Sequence, residues 1–253
     1  MNLTTIILLI QRLLIENKKV YLIGAAVLFA FLFFLFLIAY QWQDSFSGAV
    51  QNGVFIIGLF VAGGVFSSTM FRELSIAQST IWLLSIPAKP SEKVLVRILL
   101  SVPFFIIVYI ILFYLAEFVY IYGLTDQSNV DSLDLTKNNF YQFVFQYLIL
   151  NGFILLGGVT FTRYSLIKTI LVGIILLAAI NFINNGMLAL LMPGISILSS
   201  ILLDSFLFYN QGENITVTLS HSTELLATIF ARIILPISLW FAVWLKLREK
   251  QVS

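Results

Sequence analysis

Two ionisable residues fall inside long apolar runs, Glu117 and Arg232, and three amides crowd a third run, Asn181, Asn184 and Asn185. Any acid–base or ionic chemistry within those runs has to start from these groups. A carboxylate or guanidinium in hydrocarbon is costly unless it meets a partner or water, so such groups face other helices or a cavity. Glu117 and Arg232 therefore either pair across a helix bundle or line a substrate route, with Glu224 as an alternative partner for Arg232. Asn181 and Asn185 stand on one face of a helix, where amides either hold helices together by hydrogen bonds of roughly 0.6–2 kcal/mol each or contact substrate on the pathway. Catalysis gets no further than this. The single histidine, His221, and the absence of cysteine leave a His/Cys metal site without donors. No Ser/His/Asp set can be assembled in the apolar runs, and no G-x-x-x-x-G-K-[ST] phosphate loop occurs. The chain is expected to be no enzyme by itself, and to hold no cofactor or metal.

The elements that would position these groups follow from composition. Of 253 residues, 60% are hydrophobic and 10% charged, against roughly 45–50% and 25% in soluble domains. Lipid must be the solvent for so much apolar surface. Nothing in the basic residues suggests nucleic acid. A spanning helix needs about 20 apolar residues, and six runs qualify: 20–41, 54–71, 98–122, 141–161, 169–192 and 223–245. MNLTTIILLI precedes Arg12, Lys18 and Lys19, the reverse of a signal peptide's order. Gly58, Ala62, Gly63 and Gly64 in the second run, and Gly152, Gly157 and Gly158 in the fourth, permit close helix approach and suit a dimer seam. Pro103 and Pro236 are placed to kink the third and sixth spans.

Charge sets the orientation. Arg12, Lys18, Lys19, Arg72, Lys89, Lys93, Arg97, Arg163, Lys168, Lys246, Arg248 and Lys250 fall on one side of the six spans, and Lys137 on the other. Loops rich in Lys and Arg stay in the cytoplasm, so both termini are expected there. Residue usage rich in Lys, Asn, Ile and Phe, without cysteine, fits a bacterial inner (cytoplasmic) membrane.

Three segments outside the spans carry patterns of their own. In residues 3–17, Ile6, Leu9, Ile10, Leu13 and Leu14 recur at helical spacing, which predicts an interfacial helix in the headgroup layer. Residues 195–208 are apolar but too short to span, and predict a short re-entrant hairpin or interfacial helix on the outer face. Between spans two and three, FRELSIAQSTIWLLSI places Leu74, Ala77, Ile81 and Leu84 on one face of a short surface helix. Pro87 stops it, Ser91 caps the next helix, and Glu92 suits its N-terminal dipole. The result is a stiff helix–turn–helix elbow. It either passes force from a cytoplasmic partner to two spans, or anchors its basic residues among lipid headgroups.

The stretch Leu83-Leu84-Ser85-Ile86-Pro87, followed by Lys89, Glu92, Lys93 and Arg97, resembles the segment between spans two and three in permease subunits of ABC-2 type ABC transporters. The overall plan is similar too. An N-terminal interfacial helix precedes six spans with both ends inside, and short outer helices precede the last span. The resemblance implies an all-α membrane protein forming a single transmembrane domain over 1–253. Its parts would be the interfacial helix (1–19), spans one and two (20–71), a cytoplasmic coupling elbow (72–97), spans three to five (98–192), an outer re-entrant segment (193–222), and span six with its tail (223–253). It further implies that Arg72, Glu73, Gln78, Trp82, Pro87, Lys89 and Glu92 lie at or near the contact with a separate ABC ATPase subunit. That subunit would bind ATP and Mg, and a second permease subunit, identical or related, would complete the pathway. With only about eighteen residues between spans three and four, the chain departs from members that carry large outer domains. The expected function is an exporter permease for an amphiphilic or lipid-like substrate. The alternative is a non-transporting membrane assembly or anchoring protein whose elbow docks a cytoplasmic partner.

Overall fold

The computed structural model describes residues 3–42, 48–75, 85–86, 88–124, 133, 140–161, 163–191, 196–199, 205–210, 213–218, 225–226 and 228–252. Its helices are α1 (Leu3–Glu16), α2 (Lys18–Trp42), α3 (Gly48–Thr69), α4 (Pro90–Leu99), α5 (Phe105–Leu124), α6 (Phe140–Thr160), α7 (Ser165–Leu191) and α8 (Leu235–Val252). A 3-10 turn, Arg72–Ser75, follows α3. One π turn, Leu100–Phe104, joins α4 to α5, and another, Phe230–Ile234, leads into α8. Among the described residues six helical segments are long and apolar enough to cross a membrane, and the chain is an integral, multi-span membrane protein built on this all-α bundle.

The spans differ in how deeply they sit. In the third and sixth, α4–α5 and α8, the π turns accompany Pro103 and Pro236. This fits the missing proline N–H and the ring's clash with the preceding turn. α3 and α6 are central, each with 44% of its apolar window buried, against 6% for α7. α6 packs on α3, α7 and α8, while α2 packs on α3 and α5. α7 touches the bundle chiefly through α6 and presents Ile174, Ile175, Leu176 and Leu177 outward. The small residues expected to suit a dimer seam serve contacts inside the chain. Gly58 meets Leu32 and Tyr109, Gly63 meets the Tyr147 ring, and Gly157 meets Thr169.

The interior divides into two clusters along the bundle. The first is aromatic: Phe36, Phe55, Tyr109, Phe113 and Tyr120 are almost fully buried. Their rings fill one another's gaps, with centroids 5.0 Å apart for Phe55–Phe113 and 5.3 Å for Phe55–Tyr109. The second gathers Ile6 and Leu9 of α1, Phe71 beside the 3-10 turn and Leu74 within it, Val94 and Val96 of α4, Leu155 and Val159 of α6, and Val243 and Leu247 of α8. Both terminal helices thus meet at one end of the bundle, called here the near end.

Three local expectations change. Ile6, Leu9, Ile10, Leu13 and Leu14, expected in the headgroup layer, pack on protein at the near end, and Leu3, Ile7, Leu8 and Ile15 face outward instead. Helical spacing identifies an apolar face but not which neighbour covers it. The α4 cap is Lys89, not Ser91, because Pro90 takes the first helical position, where it has no N–H to satisfy. In the segment expected as short re-entrant helices, a three-stranded antiparallel sheet forms from β1 (Ser196–Ser199), β2 (Ser205–Asn210) and β3 (Glu213–Thr218). Pairing of Ser205 with Thr218 through Asn210 with Glu213 makes β2–β3 a tight hairpin. Short apolar runs do not separate strand from helix by hydropathy. Aromatic and β-branched residues in SFLFYN and ENITVT favour the pleated form.

Candidate functional site

The elbow's base is built around one arginine. Arg97, on the last turn of α4, is 2% exposed. Its Nε donates to the Met70 carbonyl at 2.8 Å, and one terminal nitrogen donates to the Lys93 carbonyl at 3.1 Å. The other terminal nitrogen donates to Glu73 Oε2 at 2.8 Å. The guanidinium also lies over the Phe71 ring, 4.7 Å from its centroid. Planar geometry and five donors let arginine serve three partners at once. The consequence is a clasp that fastens the end of span two to the start of span three. Below it, Glu92 is buried and Oε2 accepts from the Lys89 N–H at 3.1 Å, which fixes the first turn of α4.

Each expected elbow residue can now be located. Arg72 and Lys89 are exposed at the near end. Glu73 and Glu92 bond within the chain as above. Gln78, Trp82 and Pro87 lie outside the described residues, as does most of the expected surface helix, whose first residues, Arg72–Ser75, form the 3-10 turn.

A second polar assembly lies within the bundle. Trp240 Nε1 donates to Asn151 Oδ1 at 3.3 Å, and Asn151 Nδ2 donates to Ser67 Oγ at 2.8 Å. Ser67 Oγ lies 3.5 Å from the Tyr147 hydroxyl, which donates to the Ser101 carbonyl at 2.6 Å. The indole N–H can only donate and the carbonyl can only accept. Every proton in the chain therefore points one way, from Trp240 to Ser101. Neither terminus releases a proton at neutral pH, so the chain holds four spans together and does not relay protons. No sequence pattern singled out Ser67, Tyr147, Asn151 or Trp240. Their only signal was a polar side chain within an apolar run.

Glu117 and Arg232 are not paired with each other. Glu117 is 1% exposed, and Oε1 accepts from the Leu133 N–H at 3.1 Å. The Tyr114 hydroxyl donates to the Leu133 carbonyl at 2.9 Å. Together they pin one residue of the connection between spans three and four into the bundle. Arg232 lies over the rings of Tyr141 and Phe145, at 5.7 and 5.9 Å. Asn181 is exposed on α7; Asn184 and Asn185 follow on the same helix, their side chains outside the described set. Among the described residues no group of His, Asp and Glu could hold a metal ion.

Compared with protein-family models, with curated proteins and with solved structures, the chain matches none.

Proposed function

We propose that this chain is the membrane-spanning permease subunit of an ATP-driven exporter of the ABC-2 type, coupled to a separate ATPase subunit and paired with a second permease subunit. The observation that carries the reading is the Arg97 clasp. It joins the elbow's base to spans two and three, and the same near-end cluster takes in α1 and α8. A push on the elbow therefore reaches several spans as one displacement, which a loop that merely connects spans would not accomplish. ATP and Mg would belong to the partner, and the near end would be cytoplasmic, as the basic residues favour. An amphiphilic or lipid-like cargo suits a chain of this aromatic and apolar character.

The test is extraction of the tagged protein from its native membrane in mild detergent, followed by mass spectrometry of what accompanies it. Charge reversal is placed at Arg72 and Lys89, which are exposed, and not at Glu73 or Glu92, which hold the fold. A P-loop ATPase that co-purifies and is lost in Arg72→Glu/Lys89→Glu supports the reading. If no ATPase is captured, even by a crosslinker attached at residue 89, the exporter reading is wrong and the elbow anchors some other cytoplasmic protein.

A further inference from the structure

Among the described residues the two apolar clusters share only Phe66, and the boundary between them runs at a definite level. On span three it falls between Leu100, in the near cluster, and Val102, in the aromatic one. That level is the π turn. Phe105 N–H reaches back to the Leu100 carbonyl, five residues away, and to the Val102 carbonyl, and passes over the Ser101 carbonyl that it would meet in an α-helix. The Tyr147 hydroxyl supplies the missing donor. On span four the same boundary falls around Asn151, between Leu150 and Leu155. A polar layer and a locally unwound helix therefore coincide at the boundary between the two clusters.

We propose that the π turn Leu100–Phe104 is a hinge and that Tyr147 is its latch. The near-end body, made of α1, the 3-10 turn, α4 and the end of α8, swings on this turn against the aromatic body and across Leu155 and Val159 of α6, which pack in the same near cluster. The bond from Tyr147 to the Ser101 carbonyl holds one of its positions. The physical reason is that the π turn already interrupts the regular hydrogen-bond ladder of span three, while the carbonyl it frees can exchange donors. The inference concerns motion within one chain and stands whichever partner the elbow engages.

The absence of cysteine allows spin labels to be placed freely for distance measurements. A label at Lys89 reports the near body and one at Val61 the aromatic body. Lys89 with Arg248, and Val61 with Tyr122, are the reference pairs within each body. In Tyr147→Phe the Lys89–Val61 distribution is expected to broaden or shift while both reference pairs keep their widths. Amide exchange at Phe105 should rise about fivefold, the factor one lost hydrogen bond of ordinary strength produces. Pro103→Ala restores a backbone donor, lets the turn close as α-helix, and should also move the Lys89–Val61 distance. An unchanged cross-body distance in both variants overturns the hinge. Equal broadening of all three pairs in Tyr147→Phe overturns the latch, since Tyr147 would then be ordinary packing. If Tyr147→Phe does not fold, Pro103→Ala decides alone: no movement refutes the proposal.

Discussion

Replacing Glu73 by glutamine removes the countercharge of the clasp and leaves its cation in place. The Arg97 side chain is 3% exposed, whereas Glu73 keeps 33%. Breaking a fully buried pair from one side costs about 3–5 kcal/mol because a charge is left unmatched. An exposed pair is worth only about 0–1 kcal/mol. In Glu73→Gln the guanidinium retains the Met70 and Lys93 carbonyls and the Phe71 ring, and water has access to the altered side. The expected loss therefore falls between the two limits, at about 2 kcal/mol. Arg97→Met removes the cation instead and strips the Met70 carbonyl of its donor, which costs about 1–3 kcal/mol. The double variant should cost less than the sum of the two by about 1 kcal/mol or more, because the partners act on one interaction. The assay is reversible unfolding in mixed detergent–SDS micelles, followed by the fluorescence of the four tryptophans. Arg12→Gln breaks the exposed Arg12–Glu16 pair on α1 and serves as the control, with a loss of about 0.5 kcal/mol or less. If Glu73→Gln costs no more than this control, or the two clasp variants are additive, Arg97 does not hold the elbow through Glu73.

The same titration checks the remaining packing and polar contacts. Gly63→Ala should destabilise by about 1–3 kcal/mol through overpacking against the Tyr147 ring and Phe105. Gly24→Ala, where a Cβ meets open space, should stabilise by up to about 1 kcal/mol from helix propensity; equal effects of the two would refute the close approach of α3 and α6. Asn151→Leu removes two interhelical hydrogen bonds and should cost about 1–2 kcal/mol. Asn181→Leu, at an exposed position of α7, should leave the stability of the isolated chain unchanged, and a loss equal to that of Asn151→Leu would show that α7 is more deeply packed than described. Glu117→Ala leaves the buried Leu133 N–H without its acceptor and should cost about 1–3 kcal/mol, with faster amide exchange at Leu133; no change in exchange would mean that Glu117 does not hold this residue.

The six membrane-crossing helices were legible because hydrocarbon imposes a length and a composition that a linear chain displays directly. That the helix ladder is disturbed near Pro103 and Pro236, where the π turns stand, was legible for a similar reason, since proline removes a backbone donor wherever it stands. The acidic first turn of α4 could be read from Glu92, although the cap is Lys89, before Pro90, and not Ser91. What the sequence did not reveal were the pairings. Glu117 looked like a partner for Arg232, but the carboxylate found a backbone N–H on Leu133, and the guanidinium found two aromatic faces. Arg97 looked like one more basic loop residue, yet it is buried and bonds to Met70, Lys93 and Glu73 at once. Tyr147, Asn151, Ser67 and Trp240 come from three separate spans and lie up to 173 positions apart along the chain. Local spacing governs which residues share a helix face, so it reaches only as far as one helix. Which face meets which, and hence where a buried polar group finds its hydrogen-bond partner, is decided by the packing of helices that are distant in sequence.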